Sequence, residues 1–82
     1  MRTKPLNARV RRQLEKFGLG KKFAKQKALF EANPSHPSLN TEKLEPKSVG
    51  LYSFRITKKY RAIFRIREGQ AEIVHITKHY QK

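Results

Sequence analysis

Arg55, Arg61 and Arg65, with His75 and the pair His79-Tyr80, stand at spacings that β-strands could gather onto one surface. A guanidinium keeps its charge at any working pH and can grip two phosphate oxygens at once. Imidazole is the side chain best suited to pass a proton near neutrality, and a tyrosine hydroxyl can position or stabilise a neighbour. Glu42 and Glu45 supply carboxylates upstream. Such parts suffice to cut RNA without a metal. A base takes the proton of a ribose 2′-OH, that oxygen attacks the adjacent phosphorus, cations hold the growing charge, and an acid protonates the departing 5′-oxygen.

Each group also has a plainer role. Arg55 and Arg61 could pair with Glu42, Glu45 or Glu72 and brace a sheet. His79-Tyr80 lies close enough to the C-terminus to be a frayed tail. His75 could be packed, and His36, between two prolines, reads as a loop residue.

The elements that would position these residues follow from periodicity. Leu6, Val10, Leu14 and Phe17 recur at helical spacing over residues 6–17, with Arg9, Arg11, Arg12 and Lys16 on the other faces. Gly18 and Gly20 break that run. A second helix is predicted over about 20–32, with Phe23, Ala24, Ala28 and Phe30 as its apolar face and Lys21, Lys22, Lys25 and Lys27 as its wet one. The two prolines of residues 33–37 stop it.

From there the period becomes that of strands. Residues 39–44 could form a short one, and 46–50 a loop. Over 51–57 the apolar parity is Tyr52, Phe54 and Ile56; over 60–66 it is Tyr60, Ala62, Phe64 and Ile66. Lys58-Lys59 marks one hairpin tip and Glu68-Gly69 the next. In a last strand over 70–77, Val74 and Ile76 share one side, and Ile73, His75 and Thr77 the other. The expected fold is α+β, with an N-terminal helical hairpin packed on the apolar face of a small, mainly antiparallel sheet of three to four strands. Arg55, Arg61, Arg65 and His75 then fall on the opposite face.

Size and charge narrow the function. Residues 1–82 suit one domain, which buries only about 60–65% of its unfolded surface. Twenty Lys and Arg face six acids, all Glu, for a net charge of +14. Like charges crowded on a small domain repel one another, so a polyanionic partner that neutralises them is expected. An anionic membrane surface is a weaker fit, because neither helix has a large apolar face. With no cysteine, disulfides, thiolate nucleophiles and Cys-based zinc sites drop out. No apolar run approaches the roughly 20 residues that span a bilayer, and residues 1–5 lack the hydrophobic stretch of a secretory signal. A cytoplasmic protein is expected. There is no Gly-rich phosphate loop, no Ser or Cys nucleophile context, no metal-ligand spacing and no aromatic stacking platform, so neither metal nor cofactor is expected.

Leu39, Glu42-Lys43-Leu44, then Gly50-Leu51-Tyr52-Ser53-Phe54-Arg55-Ile56, Tyr60-Arg61-Ala62-Ile63-Phe64 and finally His79-Tyr80 resemble the RelE/ParE superfamily of type II toxin–antitoxin ribonucleases. The resemblance covers roughly residues 33–80, and its most specific part is the hairpin Gly-aromatic-Arg-Ile…Tyr-Arg. It implies a small curved sheet flanked by a helical hairpin, and endoribonuclease cleavage of mRNA in the ribosomal A site. It also implies a cognate acidic antitoxin that wraps and inhibits the toxin, whether the toxin is monomeric or held in a toxin–antitoxin hetero-oligomer. In the YoeB branch a glutamate precedes the Gly-aromatic hairpin, an arginine begins the next strand and a His-Tyr pair lies at the C-terminus. By that pattern Glu42 would be the general base, with Glu45 close enough to compete, and Arg61 the phosphate stabiliser. His79 would be the general acid, supported by Tyr80. Arg55, Lys58, Lys59 and Arg65, with His75, would hold RNA. Two alternatives stay open: a toxin of this fold that binds a protein such as gyrase, and a non-catalytic RNA-binding relative.

Overall fold

A computed structural model of the chain describes residues 1–78. The first helix, α1, covers Ala8–Lys16, and Asn7 caps it by accepting a hydrogen bond from the Val10 amide. Its exit is a Schellman turn: Gly18, at φ +66°, lets the Leu19 amide reach back to the Leu14 carbonyl at 2.8 Å. An L-residue with a side chain rarely adopts that conformation, so Gly18 is what starts the second helix at once. That helix, α2, runs Gly20–Ala32.

Strand β1 (Glu42–Lys43) follows a 3₁₀ turn at Pro37–Leu39; β2 spans Leu51–Arg55, β3 Tyr60–Arg67 and β4 Gln70–Lys78. They form an antiparallel meander in the order β1-β2-β3-β4. The expected strand over 39–44 shrinks to two residues because its first part is taken by the 3₁₀ turn, which Asn40 closes in the left-handed region. Thr57 Oγ1 accepts the Lys59 and Tyr60 amides and so shapes the β2–β3 turn with Lys58-Lys59 at its tip. At the β3–β4 turn Glu68 and Gly69 both have positive φ, the geometry of a tight two-residue hairpin. The N-terminal segment adds one parallel bridge, Thr3 with Ala71.

The core lies where both helices meet the Tyr52/Phe54/Ile56 face of the sheet. Val10 and Leu14 come from α1, Phe23 and Phe30 from α2. Phe30 stacks on Phe54 and meets Phe64 edge-on, both at 5.0 Å between centroids. One sequence expectation fails on α2: Ala24 and Ala28 are exposed, and the residue buried between Phe23 and Phe30 is instead Gln26. Its amide donates to the Arg55 carbonyl at 2.8 Å and the Ser38 carbonyl at 3.3 Å, which offsets the cost of burying it.

Another expectation fails on β4. Ile63 pairs with His75 but Phe64 with Ile73, so Val74 is an extra residue in the ladder. This β-bulge resets the alternation, and Ile73 and Ile76 both reach the core while Val74 is only half-buried. Ile66, at the far end of β3, is exposed despite its apolar parity. Among the described residues no helix is long and apolar enough to cross a membrane.

Candidate functional site

The face of the sheet opposite the helices is organised around Arg61. Strand pairing sets Glu42 beside Ser53 and Arg55 beside Arg61, so three strands converge there. Arg61 is on the predicted face but not in the open: it is 4% exposed. Its Nε donates to Ser53 Oγ at 2.8 Å, and its Nη2 donates to the carbonyls of Asn40 and Ser53. The planar fork of a guanidinium suits such a pocket, whose acceptors lie on two elements. The half-exposed Glu42 carboxylate lies 3.7 Å from Nη2, longer than a hydrogen bond. Glu45 sits beyond the end of β1, and it is Glu42 that faces the arginine.

Burial lowers the pKa of the Arg61 guanidinium, and neighbouring Arg55 lowers it further, while Glu42 opposes both. Arginine starts so far above neutrality that the charge persists. The site therefore holds a fixed cation whose nearest polar atoms are mostly neutral carbonyl and hydroxyl oxygens.

The remaining candidates separate into groups. Arg55 lies directly across from Arg61, with strand pairing putting their Cα atoms about 5 Å apart. Lys58 and Lys59 are exposed in the adjoining turn. Arg65 is four residues further along β3, roughly 13 Å away, and its Nε donates to Glu72 at 2.6 Å. That pair ties β3 to β4. His75 is drawn towards α1: Gln13 Oε1 accepts the Ile76 amide, so Gln13 Nε2 is the donor to His75 Nδ1 at 3.1 Å. That fixes a neutral His75 as the Nε2–H tautomer. His36 serves locally, its Nδ1 accepting the Ser38 amide.

His79 and Tyr80 lie outside the described residues. Lys78, the last described residue, pairs with Tyr60, and Thr77 pairs with Arg61, so β4 ends beside the arginine.

Four residues with structural roles here escaped the sequence reading. Ser53, through its hydroxyl and carbonyl, and Asn40, through its carbonyl alone, hold the arginine, and nothing in their local pattern signals it. Gln13 and Gln26 were legible: each stands on its helix's apolar stripe, Gln13 with Val10, Leu14 and Phe17, and Gln26 with Phe23 and Phe30. Phe17 and Tyr60, remote in sequence, meet with ring centroids 4.9 Å apart, an aromatic pair the sequence did not reveal. Among the described residues no cluster of three His or Glu side chains could hold a metal.

A helical hairpin laid on an open four-stranded antiparallel meander is an architecture this chain shares with solved toxin structures. In particular, the chain is similar to a YoeB/ParE toxin from Agrobacterium tumefaciens at a TM-score of 0.73 and 18% identity, covering 98% of this chain and 100% of that one. It is also similar to a chain of the YoeB-YefM complex from Staphylococcus aureus, at a TM-score of 0.70 and 20% identity over 98% and 100% of the two chains. At these identities the likeness is one of fold. No family model and no curated protein matches the sequence.

Proposed function

We propose that this chain is the toxin of a type II toxin–antitoxin pair and acts as a ribosome-dependent, metal-free mRNA endonuclease. The observation that carries this reading is the Arg61–Glu42 arrangement, a fixed cation with a half-exposed carboxylate 3.7 Å away, on a fold shared with YoeB toxins. In the proposed reaction Glu42 takes the 2′-OH proton and Arg61 stabilises charge on the attacked phosphate. His79, supported by Tyr80, protonates the leaving 5′-oxygen. Because Arg61 is buried, it would act through its positive field or after a local opening rather than as a ready clamp. Arg55, Lys58 and Lys59 would hold the strand. The partner that neutralises the basic surface would be an acidic antitoxin, as the YoeB-YefM complex pairs a toxin of this fold with YefM.

Induced expression should arrest growth and create new mRNA 5′ ends within translated frames. Glu42→Gln and His79→Ala should each lower cleavage by about 100-fold or more, the usual contribution of a general base or acid. Wild-type cleavage in both variants would reject the mechanism. These positions test the chemistry better than Arg61→Ala, whose folding cost would confuse the result. The burial of Arg61 also favours a second reading, a toxin of this fold that binds a protein such as gyrase. DNA-damage induction with intact mRNA on expression would select that one.

A further inference from the structure

Two depressions join along the seam between α2 and the β2–β3 turn. One, of about 420 Å³, lies between the Phe17–Tyr60 ring pair and Lys22, Lys58 and Lys59. The other, of about 310 Å³, continues it to Lys25, and Lys22 and Thr57 line both. No carboxylate lines either depression. Among the described residues no carboxylate pairs with these four lysines, whereas Lys4, Lys27, Arg61, Arg65 and Arg67 each face one. Uncompensated cations thus converge on a groove that ends at two half-buried aromatic rings tilted 30° to each other.

A ligand that satisfies both ends must carry repeated negative charge and flat rings free to stack. Single-stranded RNA has both at every residue, while a duplex keeps its bases paired and an acidic peptide offers a ring only where it carries an aromatic side chain. We infer that this groove binds single-stranded RNA, its phosphates on Lys22, Lys25, Lys58 and Lys59 and one base against the Phe17–Tyr60 pair. The inference rests on the RNA-binding part of the reading above and is independent of the cleavage step. Lys22, Lys25, Phe17 and Tyr60 are new to it, and none of the residues lining the groove is among those that accept from Arg61.

The test is fluorescence anisotropy of a labelled ten-nucleotide single-stranded RNA, without ribosomes, over a range of KCl. A groove variant, Lys22→Gln/Lys25→Gln/Lys58→Gln, is compared with a control of equal charge loss elsewhere, Arg2→Gln/Lys47→Gln/Arg67→Gln. The groove variant should bind at least about tenfold more weakly at 0.1 M KCl, with a log–log salt slope shallower by about 2 for three lost phosphate contacts. The control should lose less than about threefold. Phe17→Leu, which keeps apolar volume but removes the ring, should weaken binding about fivefold or more at an unchanged slope. The chain has no Trp, so wild-type tyrosine fluorescence should be quenched on binding, and Tyr60→Phe should bind while losing most of that quench. This measurement decides the matter if Phe17→Leu fails to fold. Equal losses in the two triple variants, or unquenched tyrosine, would overturn the inference. A chain that binds through the groove yet never cleaves would sink the nuclease reading and leave the groove standing. Cleavage with a groove variant that binds normally would do the reverse.

Discussion

Arg61 is the residue whose setting departs furthest from its expected one. A buried guanidinium is costly unless its donors are satisfied, and here one hydroxyl and two carbonyls satisfy Nε and Nη2. Removing the side chain takes away the desolvation cost but also leaves those acceptors without a donor. Arg61→Ala should therefore lower unfolding stability by about 2–3 kcal/mol in urea melts, and Ser53→Ala by about 1 kcal/mol, from one lost hydrogen bond. The double variant should fall short of their sum by at least about 0.5 kcal/mol, because the two share a contact. Additive losses would mean that Arg61 does not depend on Ser53 for its place. Arg61→Lys keeps the charge but not the fork, so it should restore only part of the stability.

Among the elements, β4 carries the greatest strain on simple patterning. Its bulge at Val74 turns Ile76 inward and brings the Ile76 amide to Gln13 of α1, so a helix side chain supplies a hydrogen bond to the strand. Gln13→Ala removes that acceptor and the donor to His75 together. The expected cost is about 1–2 kcal/mol of stability, with faster amide exchange at Ile76 than in the wild-type chain. Exchange at Ile76 that stays as slow as in wild type would show that the helix does not protect the strand. Gln26 performs the parallel service for β2 from α2, so each helix is tied to the sheet by one amide as well as by its apolar stripe.

For the whole molecule, charge decides the response to acid. Glu31, Glu68 and Glu72 each have a pKa below the usual carboxylate range. The main cause is a hydrogen bond from Thr3, Lys4 and Arg65 respectively. A carboxylate whose folded pKa is depressed contributes stability that is present above its unfolded pKa and lost as pH falls through the folded one. Stability should thus hold near neutrality and decline below about pH 4.5, where unfolded glutamates begin to take up protons. Protonation also adds to a charge already at +14, which steepens the decline. Glu31→Gln should flatten the pH profile of the thermal midpoint below that point, because Thr3 Oγ1 donates to this carboxylate at 2.7 Å and so fixes the N-terminal segment to α2. A profile unchanged by the substitution would place the acid sensitivity elsewhere.

Local pattern determined much of this protein. Helical spacing located α1 and α2, alternation located β2 and β3, and Glu68-Gly69 marked its hairpin, because these signals act between near neighbours in the chain. The basic excess and the placing of Arg55 and Arg61 on one non-core face were legible for the same reason. Tertiary structure alone decided that Arg61 is sunk beneath Glu42, since its acceptors come from Ser53 and from Asn40 of a distant turn. It alone decided that Phe17 meets Tyr60 and that a bulge reverses the β4 alternation. Periodicity fixes which side of an element a residue occupies; depth and neighbours depend on what other elements bring against it.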